Sequence, residues 1–226
     1  MRRITFLLPL LCLLAAFEAC KPSRNNATPA PAASEYLKLT PGNYWVYESY
    51  YVDSNGTGGP GSEGGGAPYH DSVYVAADTT FGGHTWHTLM QPEPGTSTYT
   101  AAYLRDSLNY EVNSYGRIVL APTDYSHVLY TRTQLGPTGG FPDSALVVAC
   151  RMGDKDKVVN VPAGSFTTIG FITAYNFYPF AGGSHTPARA QYARYAAGVG
   201  MVSQTLPFYY ADPMYVEERL LRYHVQ

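Results

Sequence analysis

The sequence predicts an all-β fold: an antiparallel, strongly curved sheet arranged as a half-barrel or sandwich, with at most a short helix. Three observations carry that prediction. Apolar segments of five to ten residues recur along the chain between Gly, Pro, Asn and Asp, the spacing that an antiparallel sheet produces. The 226 residues include 21 Tyr, a side chain that favours pleated, half-buried surfaces. The hydrophobic fraction is 45% against 14% charged, enough to bury a core and too apolar for extended disorder. The same numbers exclude functions. A net charge of −2 leaves no basic surplus to displace counterions from a phosphate backbone, which argues against nucleic-acid binding. One domain is the natural count, since all-β domains often run to about 200 residues or slightly more.

The first residues set the expected compartment. Met1-Arg2-Arg3 is a short positive segment, and Ile4 to Phe17 is an apolar run interrupted only by Thr5 and Pro9. This reads as a secretion signal, because the run falls well short of the roughly 20 apolar residues of a membrane-spanning helix. It ends in Phe17-Glu18-Ala19-Cys20, which resembles the lipobox of bacterial lipoproteins. Ala19 and Cys20 match, whereas Phe17 and Glu18 depart from the usual aliphatic and small residues, as relaxed lipoboxes of Bacteroidota do. The resemblance implies a signal over 1–19 and lipidation, palmitate included, at Cys20; ordinary secretion and a retained anchor are the alternatives. Lys21 rather than Asp after the cysteine resembles lipoproteins sent to the outer membrane. The acidic cluster of the Bacteroidota surface-export signal is absent from Lys21-Pro22-Ser23-Arg24, which implies the periplasmic side. On this reading Cys12 leaves with the signal, Cys20 carries lipid, and Cys150 stays alone in an apolar run, a small buried hydrophobe with no disulfide partner.

The elements follow in order. Residues 20–34, rich in Pro, Ala, Ser and Asn, lack the apolar surface to offset their ordering entropy and read as a tether ahead of a single domain over 35–226. Asn43 to Val52 is aromatic and β-branched on both parities, which suits a strand buried at least partly on both faces. Ser54 to Pro68 holds seven Gly in fifteen residues and reads as a flexible hairpin loop; a phosphate cradle would need a Lys and a following helix. Further strands are predicted over Ser72–Ala77, His84–Gln91, Thr98–Arg105, Leu108–Val112, Arg117–Ala121, His127–Gln134, Ala145–Met152, Lys157–Val161, Thr167–Phe177, Met201–Thr205 and Val216–Val225. Phe81-Gly82-Gly83 and Asn113-Ser114-Tyr115-Gly116 read as hairpin turns, and Asp154-Lys155-Asp156 as a further turn. Thr186 to Gly198 has a cap, an early Pro, good helix formers and a terminal Gly, the local signals of a helix.

Three segments resemble one family. Leu39-Thr40-Pro41-Gly42-Asn43-Tyr44-Trp45-Val46-Tyr47, Val161-Pro162-Ala163-Gly164-Ser165-Phe166 and Tyr195-Ala196-Ala197-Gly198-Val199-Gly200-Met201-Val202 are similar, in order and spacing, to segments of a group of Bacteroidota secreted lipoproteins without an assigned activity. The resemblance covers most of residues 36–225. It implies a strand before Gly198-Val199-Gly200, with a short helical turn near Pro187 as the fallback.

Candidate chemistry is sparse. His84 and His87 stand three apart, which places them on opposite faces of a strand. With His70, Asp71 and Asp78 they would need a second His or Cys pair at ligand spacing to make a zinc site, so hydrogen-bonded histidines and no metal or cofactor are expected. Glu217 and Glu218 are adjacent and face apart, a poor acid/base pair unless a partner comes from elsewhere. No nucleophile elbow is present, and Gly198-Val199-Gly200 lacks the third Gly of a dinucleotide fingerprint; glycines that permit a bulge or a close backbone approach are the better account. The aromatic surplus offers a candidate ligand face in Tyr44, Trp45, Tyr47, Trp86, Tyr175 and Tyr178, able to stack on a glycan or an apolar ligand; cross-strand aromatic pairing is the structural alternative. Ser72, Thr79, Ser107 and Ser144 each follow Asp and precede an apolar residue or, at Thr79, another Thr, resembling Bacteroidota O-glycosylation sites; turns entering strands explain the same tripeptides. The sequence thus points to a lipid-anchored envelope protein that binds a glycan or apolar ligand or serves as a structural accessory, without catalysis. The alternative is a secreted hydrolase whose site is assembled from distant strands.

Overall fold

The computed structural model describes residues 32–53, 57–61, 66–93, 98–134, 146–177, 189–206 and 215–226. A 3-10 turn, Ala33–Glu35, leads into strands β1 (Tyr44–Val52), β2 (Gly58–Pro60), β3 (His70–Phe81), β4 (His84–Pro92), β5 (Tyr99–Ser107), β6 (Tyr110–Asn113) and β7 (Ile118–Leu120). The second half supplies β8 (Val128–Gln134), β9 (Leu146–Val161), β10 (Gly164–Phe177), β11 (Arg189–Ala196), β12 (Gly200–Thr205) and β13 (Tyr215–His224). All lie in one antiparallel sheet of order β7-β6-β5-β4-β3-β1-β13-β12-β11-β10-β9-β8, with β2 beside the end of β1. The first and last long strands pair at the centre, and two meanders run outward from them.

The connectivity forces the sheet to curl. Laid flat at about 4.8 Å per strand, the path of twelve strands would separate β7 from β8 by about 53 Å. The chain from Leu120 to Val128 can reach at most about 28 Å. The sheet therefore rolls into a nearly closed barrel, and of the half-barrel and sandwich predicted from sequence the barrel form is the one adopted. Side chains fill the seam where the ladder does not close. Leu120 and Ala121 pack on Met152 and Ile169, the Ala121 amide donates to the Met152 sulfur at 3.4 Å, and the Arg117 guanidinium lies 5.9 Å from the Tyr130 ring centre.

The main core lies inside the barrel and gathers Leu39, Trp45, Tyr47, Val75, Leu104 and Leu220 with residues of β9, β11 and β12. The family-like segments meet at its margin. Asn43, fully buried, donates from Nδ2 to the Lys38 carbonyl at 2.8 Å and accepts the Gln226 amide at 3.0 Å. The Ala163 amide, at the β9–β10 turn, donates to the Leu220 carbonyl at 2.9 Å. The Trp45 indole donates to the Val199 carbonyl at 2.7 Å. Gly200 makes that contact feasible: its φ is +109°, and an added Cβ would stand 2.9 Å from the indole nitrogen. Gly200 thus serves a close backbone approach, one of the two roles expected from the sequence.

Two local readings change. Asp154-Lys155-Asp156 is no turn. It lies within the continuous strand β9, where Gly153 pairs with Gly170 and Lys157 with Thr168, so three residues of β9 face the single Ile169. Asp154 and Asp156 take φ of 48° and 60°, a left-handed conformation that Asp tolerates, and the ladder absorbs the surplus as a bulge. The helix signals over Thr186–Gly198 also lose: Arg189–Ala196 is strand β11, hydrogen-bonded on both sides to β10 and β12, because tertiary pairing outweighs weak helix propensity. Residues 186–188 lie outside the described residues, and the helical structure among those described is the turn Ala33–Glu35. Within the Gly-rich loop, Gly58–Pro60 pairs with β1, and Ser49 holds both limbs: its hydroxyl donates to the Gly61 carbonyl at 2.8 Å and accepts the Tyr69 amide at 2.9 Å.

Candidate functional site

Strand alternation aims Trp45 and Tyr47 of β1 into the barrel, and the β1/β13 register brings Glu218 inward while its neighbour Glu217 faces out. Between these and β3 to β7 lies a cavity of about 440 Å³. Its wall is largely apolar, with Leu37, Leu39, Val73, Leu89, Leu104 and Val119 among the residues that face it. Trp45 and Tyr47 form one side, each with its polar atom already engaged: the indole on Val199 and the Tyr47 hydroxyl on the Met201 carbonyl at 2.9 Å. Both reach across β13 to the backbone at the start of β12, so they are rigid wall, not swinging arms.

One polar cluster interrupts this wall. Glu218 accepts a hydrogen bond from the Gln204 amide and shares another with Asp71 of β3. Burial raises the Glu218 carboxyl to about 7; the Gln204 hydrogen bond opposes the rise, and the hydrogen bond and charge of Asp71 add to it. Tyr69 faces the same pair, its hydroxyl held well above the ordinary tyrosine range by burial and then by Glu218 and Asp71. Tyr195 completes the polar edge, raised to about 12 by burial. Two hydrogen-bonded carboxyls in an apolar chamber can hold a proton between them, exchange it, or receive a donor group from a ligand.

The outward face beside the cluster is a network of ion pairs. Glu217 meets Arg219 at 2.7 Å and Arg194 at 3.8 Å, Arg194 meets Asp154 at 3.2 Å, and the Arg219 guanidinium lies 4.3 Å from the Tyr50 ring centre. A second buried acid, Glu111, is raised to about 9 by burial and then by the charge and hydrogen bond of Asp106. It does not face the cavity.

Of the candidate ligand face, the structure brings Trp45 and Tyr47 together on the cavity wall. Tyr44 points outward and stacks on His224. Trp86 is buried under Phe81, with the Arg105 guanidinium 5.1 Å away. Tyr175 packs with Val148 and Cys150 and donates to Gln191. Tyr178, Ser144 and Cys20 lie outside the described residues. Ser72 and Thr79 are half-buried within β3, and Ser107 is half-buried at the end of β5. The histidines make separate contacts: His70 with Glu48 at 3.2 Å, His87 with Asp78 at 2.8 Å, and His84 edge-on to Trp86. Asp71, considered from sequence as a distant metal candidate, instead partners Glu218. Sequence reasoning left Glu218 needing a partner from elsewhere, and β3 provides one; nothing local to either residue signals the other, because they are joined only by the β3-β1-β13 order.

No family model matches the chain, and no curated protein does. Two solved structures are similar to it in fold. A proposed exported protein with a YmcC-like fold from Bacteroides fragilis is 14% identical with a TM-score of 0.44, over 86% of this chain and 100% of its own. A proposed lipoprotein from Parabacteroides distasonis is 13% identical with a TM-score of 0.44, over 83% of this chain and 97% of its own. Both are distant likenesses of the fold alone.

Proposed function

We propose that the chain is a lipid-anchored envelope protein that holds a small, largely apolar ligand inside its barrel. The observation that carries this reading is the cavity itself. Its volume of about 440 Å³ falls within the roughly 300–1,000 Å³ of ligand sites, and its largely apolar wall with one carboxyl pair has their usual character. The anchor rests on the sequence around Cys20, and the outer membrane, periplasmic side, is the compartment it favours. Of the two ligand classes, the apolar one is preferred. A glycan calls for exposed rings and many hydroxyl partners, whereas Trp45 and Tyr47 have committed their polar atoms to backbone carbonyls.

Extraction of the purified native protein into organic solvent, followed by mass spectrometry, tests the proposal. A single apolar compound near one per chain is expected, and Ala102→Trp, which fills the cavity from β5, should lose it while remaining folded. An empty extract from the native protein, together with unchanged binding of a neutral fluorescent probe in Ala102→Trp, would contradict it.

A second reading is favoured by one specific observation, the Asp71–Glu218 hydrogen bond. A carboxyl pair that shares a proton is the arrangement of acid/base hydrolases. That reading predicts turnover of an ester, amide or glycoside that vanishes in Glu218→Gln, whereas the binding reading predicts none in either protein.

A further inference from the structure

Resting on the barrel interior as a ligand cavity, the geometry points to a cationic amphiphile as its occupant, with an alkyl chain on the apolar wall and an ammonium group on the Asp71–Glu218 pair. Charge complementarity selects the head group. Among the described residues that line the cavity, Asp71 and Glu218 are the charged ones, and no Lys, Arg or His joins them. The nearby guanidinium groups of Arg194 and Arg219 are engaged on the outer face with Asp154 and Glu217.

Hydrogen-bond accounting leads to the same head group. Facing Glu218 are Asp71 from β3, Tyr69 ahead of β3, Tyr47 from β1 and Gln204 from β12. The Tyr47 hydroxyl is spent on Met201, while Glu218 accepts from the Gln204 amide and shares a hydrogen bond with Asp71. Among the described residues, the donors identified on these two carboxyl groups fill fewer than their acceptor sites. An ammonium brings three donors and a positive charge. An alcohol brings one donor and no charge, and a carboxylate brings a like charge into a poorly solvated chamber, which is repulsive. The apolar lining of the same cavity, Leu37 and Val119 included, gives the alkyl chain its place.

Displacement of the neutral probe N-phenyl-1-naphthylamine from the purified full chain at pH 7.5 tests this with three ligands of equal chain length. Dodecylamine should displace the probe at concentrations about tenfold below dodecanol, and dodecanoate should be the weakest of the three. The double variant Glu218→Gln, Asp71→Asn should bring amine and alcohol within about threefold of each other. Should that variant not fold, the wild-type protein answers alone: the advantage of amine over alcohol should shrink as pH falls from 8 to 5.5 and Glu218 takes up its proton. Dodecanoate binding as tightly as dodecylamine, or an amine advantage that ignores both pH and the double variant, overturns the cationic assignment and leaves the cavity reading standing. Failure of the probe and of all three ligands to bind overturns both.

Discussion

At the residue scale, Gly200 and Glu218 carry opposite kinds of constraint. Gly200 is held at φ +109° with its α-carbon against the Trp45 indole. Gly200→Ala therefore meets backbone strain and a clash with a rigid aromatic at once, and should destabilise the protein by about 2 kcal/mol or more; chemical denaturation with an unchanged m-value checks it. Glu218 is a stability cost kept in place. Its folded-state value of about 7 lies above its ordinary 4.5, so between those values the folded state binds more protons than the unfolded one. Stability then falls as pH rises through that window. Glu218→Gln should raise the unfolding temperature at pH 8, by up to on the order of 3 kcal/mol in stability, and the gain should fade toward pH 4.5. No gain at pH 8 would mean that the carboxyl is better solvated than the cavity geometry shows. Cys150 illustrates a residue whose character was legible from its neighbours alone: the apolar run around it predicted a buried hydrophobe, and it is fully buried beside Val148 and Tyr175. Glu218 was legible only by half. Its inward parity follows from alternation, but its partner Asp71 sits 147 residues away in sequence and could be found only once β3, β1 and β13 were neighbours.

At the element scale, the strands were readable wherever apolar runs end at Gly or Asn. The β3–β4 hairpin turns at Gly82 and Gly83, both with positive φ, as the sequence reading placed it. What local chemistry could not show is how a ladder treats surplus residues. Asp154-Lys155-Asp156 has turn composition, yet a sixteen-residue strand passes through it, since bulging leaves the β9–β10 pairing intact on both sides. The β5–β6 hairpin suggests a direct improvement. Leu108 and Asn109 have φ of 53° and 74°, the two-residue turn in which Asn followed by Gly is preferred. Leu108 is 89% exposed and so gives up little contact when replaced. Leu108→Asn should stabilise by roughly 0.5–1 kcal/mol, read as a higher midpoint in urea. A fall in the midpoint would show that Leu108 has a packing role.

At the scale of the whole molecule, the family-like segments and the candidate site overlap on one side of the barrel. Asn43, Ala163, Trp45 and Gly200 close turns and lock the core at one margin, and Leu39, Trp45, Tyr47 and Tyr195 of the same segments also line the cavity. The polar cluster depends instead on the long-range strand order. The opening surplus of tyrosine accordingly has two uses: Tyr44 and Tyr50 brace the outer face, and Tyr47, Tyr69 and Tyr195 border the cavity. The central claim, that the barrel interior is a ligand site, is tested most directly through Trp45, which lines the cavity while Trp86 does not. In Trp86→Phe the remaining indole reports from the wall alone, and titration with a bromine-bearing alkylamine places a heavy-atom quencher beside it. Saturable quenching at one ligand per chain is expected, relieved by excess unbrominated dodecylamine. Emission that stays constant, or that falls linearly without saturation and is not relieved by the competitor, would contradict it.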